Sequence, residues 1–242
     1  MKTQITKIKL ALAFCLFLLM PFGLFAAPLA YVCGSGAVTL KYTGPYTLVT
    51  DDQVVWQEVS SDGNTTIGSP IINTYNGTAG SADLILTGGG NLTSVGEHFY
   101  KMHVLTKTPG GCTGDVSDAV SIYLLPGFSV ALTPSTSTYC EAGGTNTTPA
   151  IITALATPAS GLPLGVKFVY DWTGSTGGSA SGTDNNTYTM TTTTVGSYPL
   201  TAKATFDTGA IPLKSAAGSG CEESGTTTIT VSPKPGKPTI QI

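Results

Sequence analysis

Two short stretches with the same pattern decide the architecture of this chain. Residues 31–36 read YVCGSG and residues 139–144 read YCEAGG, and their cysteines lie 107 residues apart. A Gly-Cys pair recurs as well, at Cys112 and Cys221, which are 109 residues apart. Recurrence at a nearly fixed period indicates an internal repeat, so we predict two copies of one module of about 107 residues.

Within each copy, short segments alternate apolar and polar residues. Residues 38–42 do so in the first copy and residues 166–172 in the second, and each copy holds a single tryptophan, Trp56 or Trp172. Period-two alternation between Gly, Pro and Asn clusters is typical of β-strands. Six or seven short strands per copy, with the tryptophan on the third, indicate an immunoglobulin-like sandwich. The sequence therefore predicts an all-β protein with two tandem Ig-like β-sandwich domains.

The composition excludes two other classes of protein. Only 10% of the 242 residues are charged, against roughly a quarter in ordinary soluble domains. All 11 basic residues are lysines, and the formal net charge is −3. Nucleic-acid binding needs clustered Lys and Arg, so we expect no nucleic-acid partner. A helical protein is excluded because Thr and Gly, which are abundant here, form helices poorly.

The N-terminal segment has the features of an export signal. Three lysines among residues 1–10 precede a wholly apolar run at residues 11–20, and small residues end the segment at Ala27. This order is typical of a secretory signal peptide. A membrane-spanning helix needs roughly 20 apolar residues, so the run is too short to be one. We therefore expect an exported protein that does not span the membrane.

The repeat and the signal peptide together predict the domain organisation. We expect a signal peptide at 1–27, a first Ig-like sandwich at 28–125 and a second at 126–234. Residues 235–242 are expected to form a linker and the opening strand of a third repeat, because Pro235-Gly236 matches Pro126-Gly127. Further domains of the same polypeptide are expected to follow.

The order of motifs also carries a family resemblance. Residues 33–40 read CGSGAVTL, and the predicted strand with Trp56 follows. A Val-Gly-x-x-x-Tyr motif then ends at Tyr100, and after it come Gly-Cys at 111–112 and Val-Ser-Ile at 120–122. This order resembles the Ig-like and PKD-like repeats of secreted and surface proteins of Bacteroidetes. The second copy has the Gly-x-Tyr form at Tyr198, whereas the first has His98 at that position. The resemblance implies a surface or stalk module of a Gram-negative bacterium and implies no catalytic residues.

The cysteines agree with export. Outside the signal peptide four remain, namely Cys33, Cys112, Cys140 and Cys221, and an even number in an exported chain indicates two disulfides. The repeat favours Cys33–Cys112 and Cys140–Cys221, which makes each copy self-contained. A standard sandwich places the two members of each pair toward opposite ends, so this pairing requires Cys33 on the N-terminal strand or a different topology. The competing pair Cys112–Cys140 would join the end of one copy to the start of the next.

Few side chains suit catalysis or metal binding. We expect the large aromatic residues of the central strands to form the structural core: Trp56, Trp172, Tyr100 and Tyr198. His98 and His103 are five residues apart on a predicted strand and so face opposite sides, with His98 partly buried and His103 in solvent. Three acidic pairs, 51–52, 115 with 118, and 222–223, lack the spacing of a calcium loop and are interpreted as turn residues. We predict no metal site, no cofactor and no catalytic residue.

Two functional hypotheses follow. The first is a non-enzymatic, exported spacer or display segment of a larger cell-surface or secreted protein. The alternative is an adhesin-like module that binds an extracellular protein or a glycan through exposed aromatic residues, for which Tyr46, Tyr75 and Phe128 are the candidates. A hydrolase is the third class considered, and we expect no turnover.

Overall fold

The computed structural model describes residues 27–107, 111–143, 147–174, 177–216 and 220–240. Residues 1–26, which hold nearly all of the predicted signal peptide, lie outside the described residues. Within the described ranges the protein is all-β, and the only helical turn is a 3₁₀ turn at Thr183–Asn185. The predicted fold class is confirmed.

Seven strands form the first module, and nine belong to the second. The first seven are β1 (Ala30–Val32), β2 (Ala37–Leu40), β3 (Gln53–Val59), β4 (Thr66–Thr74), β5 (Leu84–Thr87), β6 (Gly96–Leu105) and β7 (Val120–Leu124). The others are β8 (Phe128–Pro134), β9 (Thr138–Cys140), β10 (Ile151–Pro158), β11 (Lys167–Thr173), β12 (Gly178–Ser181), β13 (Thr187–Met190), β14 (Gly196–Asp207), β15 (Leu213–Lys214) and β16 (Glu222–Ser232).

The second module has the two sheets of an immunoglobulin domain. One sheet has the order β12-β13-β10-β8, and the other has the order β11-β14-β16-β9. These orders correspond to the D-E-B-A and C-F-G sheets of the Ig fold. The short strand β9 runs parallel to the last strand, β16, whereas the other pairs in these two sheets are antiparallel.

The first module repeats this plan. Its large sheet has the order β15-β1-β7-β6-β3-β4, and β2 pairs with β5 in a second sheet. The short strand β1 runs parallel to the last strand of the module, β7, as β9 does to β16. Apolar residues of both sheets share one core, because Val38 and Leu86 cluster with Val54 and Ile122. The structure is thus two tandem Ig-like sandwiches.

The two tryptophans occupy equivalent positions. Trp56 lies opposite Met102 on β6, and Trp172 lies opposite Ala202 on β14, with β6 and β14 beginning at Gly96 and Gly196. The Trp56 indole N–H donates to the Ala82 carbonyl, just before β5, at 3.0 Å. The Trp172 indole N–H donates to the Asn185 carbonyl, just before the equivalent strand β13, at 2.7 Å. The third-strand tryptophan therefore anchors the same turn in both copies.

The predicted core residues differ in burial between the modules. Trp56 and Tyr100 are each 3% exposed in the first core. Trp172 and Tyr198 are only partly buried, although both pack against the second core. The Tyr198 hydroxyl reaches the turn before its own strand and donates to the Thr194 carbonyl at 2.7 Å. Trp172 and Tyr198 therefore pack at the edge of the second core, whereas Trp56 and Tyr100 lie inside the first.

Candidate functional site: the junction between the modules

A strand from the second module extends the large sheet of the first. β15 lies in the loop between β14 and β16 and pairs in parallel with β1, with Tyr31 opposite Leu213 and Val32 opposite Lys214. The Tyr31 N–H donates to the Pro212 carbonyl at 2.9 Å, and the Cys33 N–H donates to the Lys214 carbonyl at 3.2 Å. The six-stranded sheet therefore crosses from one module into the other.

This loop approaches the first module very closely at Gly36. A Cβ atom on Gly36 would lie 2.1 Å from the Lys214 carbonyl oxygen, which is far inside van der Waals contact. Only glycine therefore lets the β14–β16 loop sit against the turn that follows β1.

A disulfide closes the same contact. Cys33, just after β1, is bonded to Cys221, just before β16, with the Cα atoms 5.3 Å apart and a sequence separation of 188. Both cysteines are buried, at 0% and 7% exposure. The bond therefore joins the first module to the second, and it encloses nearly the whole of both.

This pairing corrects the sequence prediction of Cys33–Cys112 and Cys140–Cys221. Because β1 runs parallel to β7, Cys33 lies where the first module ends. Cys112 lies at the opposite end, where its N–H donates to the Thr106 hydroxyl oxygen beyond the 10-residue strand β6. A strand of that length spans about 30 Å, and a disulfide needs Cα atoms within about 7 Å.

The second predicted pair fails for the same reason. Cys140 lies opposite Ser232 at the end of β16, whereas Cys221 precedes the first residue of that 11-residue strand. The competing pair Cys112–Cys140 is not formed either. Both of these cysteines carry free thiols, and Cys112 is exposed while Cys140 is partly exposed.

Aromatic side chains fill the space around the disulfide. Phe128, Phe168 and Phe206 form a triangle with ring centroids 4.6–5.0 Å apart. Tyr31 and Leu125 of the first module belong to the same buried cluster. Edge-to-face and tilted pairs at such distances add about 0.5–1.5 kcal/mol each beyond the area they bury. Phe128, predicted as an exposed aromatic residue of the linker, instead packs inside the junction.

Sequence reasoning missed β15 and the apolar residues beside it. The loop between β14 and β16 carries Ile211 and Leu213, both of which pack in the junction cluster. The corresponding stretch of the first module, between β6 and Cys112, is residues 106–111; it reads TKTPGG and has no such apolar pair. The sequence signal that could have predicted the junction was the apolar pair Ile211 and Leu213, which is present in this loop and missing from the equivalent stretch of the first module.

The two histidines play different roles from each other. His98 is 7% exposed; its Nδ1 lies 2.7 Å from the Glu58 Oε1, and its Nε2 lies 2.8 Å from the Ser94 carbonyl oxygen. His103 lies on the same strand, β6, and is partly exposed. No group of three or more His, Cys, Asp or Glu able to hold a metal ion occurs among the described residues.

The acidic pairs occupy turns and strand ends. Asp52 is 3% exposed and accepts hydrogen bonds from the Val49 N–H at 2.8 Å, the Tyr46 hydroxyl at 2.8 Å and the Lys107 N–H at 3.1 Å. These bonds, the one from Val49 above all, hold the pKa of Asp52 below the ordinary aspartate range, although desolvation acts in the opposite direction. Asp51 pairs with the Lys107 ammonium at 2.7 Å.

The other acidic pairs remain at the surface. Glu222 lies 3.2 Å from the Lys203 ammonium, and Asp115, Asp118 and Glu223 are exposed. These four carboxylates, like those at 51–52, lie in loops, in turns or at strand ends.

A cavity lies beside the loop that holds Tyr46. Its volume is about 540 Å³, and its lining is largely apolar, with Tyr42, Tyr46, Met102, His103, Val104 and Val116. Tyr46 is 41% exposed, whereas Tyr75 is partly buried against the first core. Of the three candidate binding aromatics, Tyr46 is therefore the most exposed, because Tyr75 and Phe128 are both partly buried.

Comparisons with known proteins find distant structural likenesses alone. No protein-family model matches the chain, and no curated protein matches it. Murine CEACAM1b matches with a TM-score of 0.36 and 11% identity over 84% of this chain and 95% of that chain. A 1.5-MDa bacterial ice-binding adhesin matches with a TM-score of 0.34 and 12% identity over 85% of this chain and 61% of that one.

A third likeness is to invasin, described as a bacterial integrin-binding protein. It has a TM-score of 0.27 and 17% identity over 86% of this chain and 37% of that one. The chain therefore spans less than two thirds of the adhesin and of invasin. Likenesses this remote carry no weight for function, and the fold rests on the strand topology. In the part of the chain that the structure describes, no helix is long and apolar enough to cross a membrane.

Proposed function

We propose that this chain is a non-enzymatic, exported Ig-like segment that acts as a structural spacer or display module of a larger cell-surface or secreted protein. The observation that carries the proposal is the closed junction between the modules. Neighbouring domains move relative to one another unless their interface is large and hydrophobic. Here a disulfide, a shared sheet and an aromatic cluster join them, and a stiff two-module unit is what a spacer requires.

The position of the disulfide supports the proposal in a second way. Cys33 lies near the start of the first module and Cys221 near the last strand of the second. Tension applied at the two ends of the chain would pass through the sulfur–sulfur bond. The segment between the cysteines, which are 188 positions apart in sequence, would be withheld from extension, so its length would stay fixed under load.

Single-molecule force spectroscopy on the full chain, held at its two ends, tests this function. With the disulfide intact, we expect no extension from the bridged segment. Reduction should release an extra length on the order of 600 Å, given about 3.3–3.6 Å per extended residue. The double variant C112S/C140S, which keeps the bridge, is the matched control. Full extension of the oxidised chain would overturn the proposal.

The second candidate is a binding module, and the cavity beside Tyr46 favours it. A largely apolar recess of about 540 Å³ falls within the size range of ligand pockets. Extracellular proteins and glycans are the partners considered. A glycan array and a panel of extracellular matrix proteins test this candidate with the full chain. Saturable binding that Tyr46→Ala abolishes and Leu155→Ala preserves would favour it over the spacer.

A further inference from the structure

The two free cysteines occupy the same structural positions as the two bonded ones. Cys221 precedes Glu222, which pairs with Thr205, so Cys221 stands beside Phe206 near the end of β14. In the first module the Thr106 N–H donates to the Cys112 carbonyl oxygen at 3.1 Å, which puts Cys112 beside the equivalent position near the end of β6. We call these two residues the loop cysteines.

Cys33 and Cys140 form the second equivalent set. Cys33 follows Val32 at the end of β1, which is parallel to the last strand of the first module. Cys140 ends β9, which is parallel to the last strand of the second module. We call these two residues the strand cysteines. The disulfide in the structure therefore joins the strand cysteine of one module to the loop cysteine of the next.

One cysteine of each type is left over, and the two lie at opposite ends of the two-module unit. Cys112 lies about 30 Å from the junction along the 10 residues of β6, and Cys140 lies about 35 Å from it along the 11 residues of β16. The strands run away from the junction in opposite directions. Cys112 and Cys140 of one chain are therefore too far apart to bond to each other.

We propose that Cys140 of one copy forms a disulfide with Cys112 of a second copy of this chain, in the same head-to-tail arrangement that Cys33 and Cys221 make between the modules. Such a contact is heterologous, because the strand-cysteine end of one copy meets the loop-cysteine end of the other. The proposal rests on the export included in the proposed function, because thiols stay reduced in the cytosol.

Charge at the two outer ends is complementary. Asp51 and Asp115 stand near Cys112: Asp51 pairs with the Lys107 ammonium at 2.7 Å, and Asp115 lines the same cavity as Cys112. All three of these charged residues are exposed. Near Cys140, Lys234 and Lys237 are exposed, and Glu141 accepts a hydrogen bond from the Lys234 N–H at 2.8 Å. In the proposed contact the acidic Cys112 end of one copy therefore faces the basic Cys140 end of the other. Contacts between two Cys112 ends or between two Cys140 ends would bring like charges together.

The bond formation needs an oxidant, for which we take a disulfide such as glutathione disulfide. The Cys140 thiolate attacks it, forming a mixed disulfide and releasing one glutathione thiol. The Cys112 thiolate of the next copy then attacks the Cys140 sulfur and releases the second glutathione. Two cysteine thiols lose two electrons and two protons, and one glutathione disulfide gains them.

Two single variants of the full chain test the proposal. C112S keeps only the Cys140 thiol free and C140S keeps only the Cys112 thiol free, and tags of different mass distinguish the two chains. After oxidation with glutathione disulfide, non-reducing electrophoresis of the mixture should show a mixed dimer at least about tenfold above either homodimer. Its yield should fall as salt rises, because screening weakens the attraction between the ends. C112S/C140S, which lacks both thiols, should give no dimer.

Homodimers as abundant as the mixed dimer would overturn the proposal, because they would show unselective oxidation of accessible thiols. Monomers that keep both thiols reduced would overturn it as well. Neither result bears on the proposed spacer function, since the force experiment depends on Cys33 and Cys221 alone.

Discussion

The two modules share one strand plan but differ at the end where the loop cysteine lies. In the second module this end carries Phe168 and Phe206, which pack against the first module. The equivalent residues of the first module are Asp52 and Thr106, and Asp52 is held there by three hydrogen bonds. The end of the second module that packs against its neighbour is thus built from aromatic rings. The equivalent end of the first module, which has no such neighbour among the described residues, is built around the hydrogen-bonded carboxylate of Asp52. We therefore expect the stability of the second module to depend more on its neighbour than that of the first does.

The largest effect is expected from removing the disulfide between Cys33 and Cys221. Loss of a cross-link that closes a 188-residue loop should lower the free energy of unfolding by about 5 kcal/mol in the chain-entropy model. C33S/C221S should lower the unfolding free energy of the second module more than that of the first, because Phe168 and Phe206 would lose their packing against the first module. Urea denaturation followed by circular dichroism measures this, with C112S as the control. Equal shifts in both modules would contradict the comparison.

Alanine substitution of the two tryptophans sharpens the comparison between the cores. Trp56 is 3% exposed, so Trp56→Ala should cost about 3–5 kcal/mol of unfolding free energy. Trp172 is only partly buried, so Trp172→Ala should cost about 1–2 kcal/mol. Denaturation curves of both variants measure the difference. A larger loss for Trp172→Ala would show that the second core is the better packed of the two.

A single methyl group should loosen the junction without touching either core. The Cβ of Gly36→Ala would lie 2.1 Å from the Lys214 carbonyl oxygen, which forces β15 away from β1 at a cost of about 1–3 kcal/mol. Hydrogen exchange should become faster at the amides of residues 31 and 33. Gly127→Ala is the matched control, because nothing lies within 4 Å of its Cβ. Unchanged exchange in Gly36→Ala would mean that β15 contributes little to the junction.

The smallest of these effects concerns the free end of the first module. Asp52→Asn should lower the free energy of unfolding at pH 7 by about 1–2 kcal/mol, since a charged acceptor of buried hydrogen bonds is lost. The pKa of Asp52 is lower in the folded state, so its contribution is fully present above the unfolded-state pKa. It is lost as pH falls through the folded-state pKa.

Urea titrations between pH 7 and pH 2 should therefore show wild type and Asp52→Asn converging only at the acidic end. Asp115→Asn, at an exposed carboxylate, is the control and should match wild type throughout. A difference between wild type and Asp52→Asn that stays constant down to pH 2 would contradict a lowered pKa.

Much of the fold could be predicted from residue patterns because strand alternation and repeat spacing are local signals. Residues 166–172 alternate as a strand does, and the spacing of Trp56 and Trp172 marks the equivalent strands β3 and β11. The disulfide could not be predicted in this way. Sequence spacing does not report strand direction, and the parallel pairing of β1 with β7 is what carries Cys33 to the junction.

The sequence carries only a weak signal for the junction between the modules. β15 is two residues long, which is too short for any periodic pattern, and it forms through contact with the other module. Trp172 was expected in the core by analogy with Trp56. The burial of an equivalent residue depends on its neighbours, however, and these are not repeated.

Peptide mapping of the oxidised monomer without reduction tests the central claim most directly. We predict one cross-linked pair, a peptide with Cys33 joined to a peptide with Cys221, and alkylated free thiols at Cys112 and Cys140. Peptides that join Cys33 to Cys112 and Cys140 to Cys221 would contradict it, because each module would then be closed on itself and the junction would hold no covalent bond.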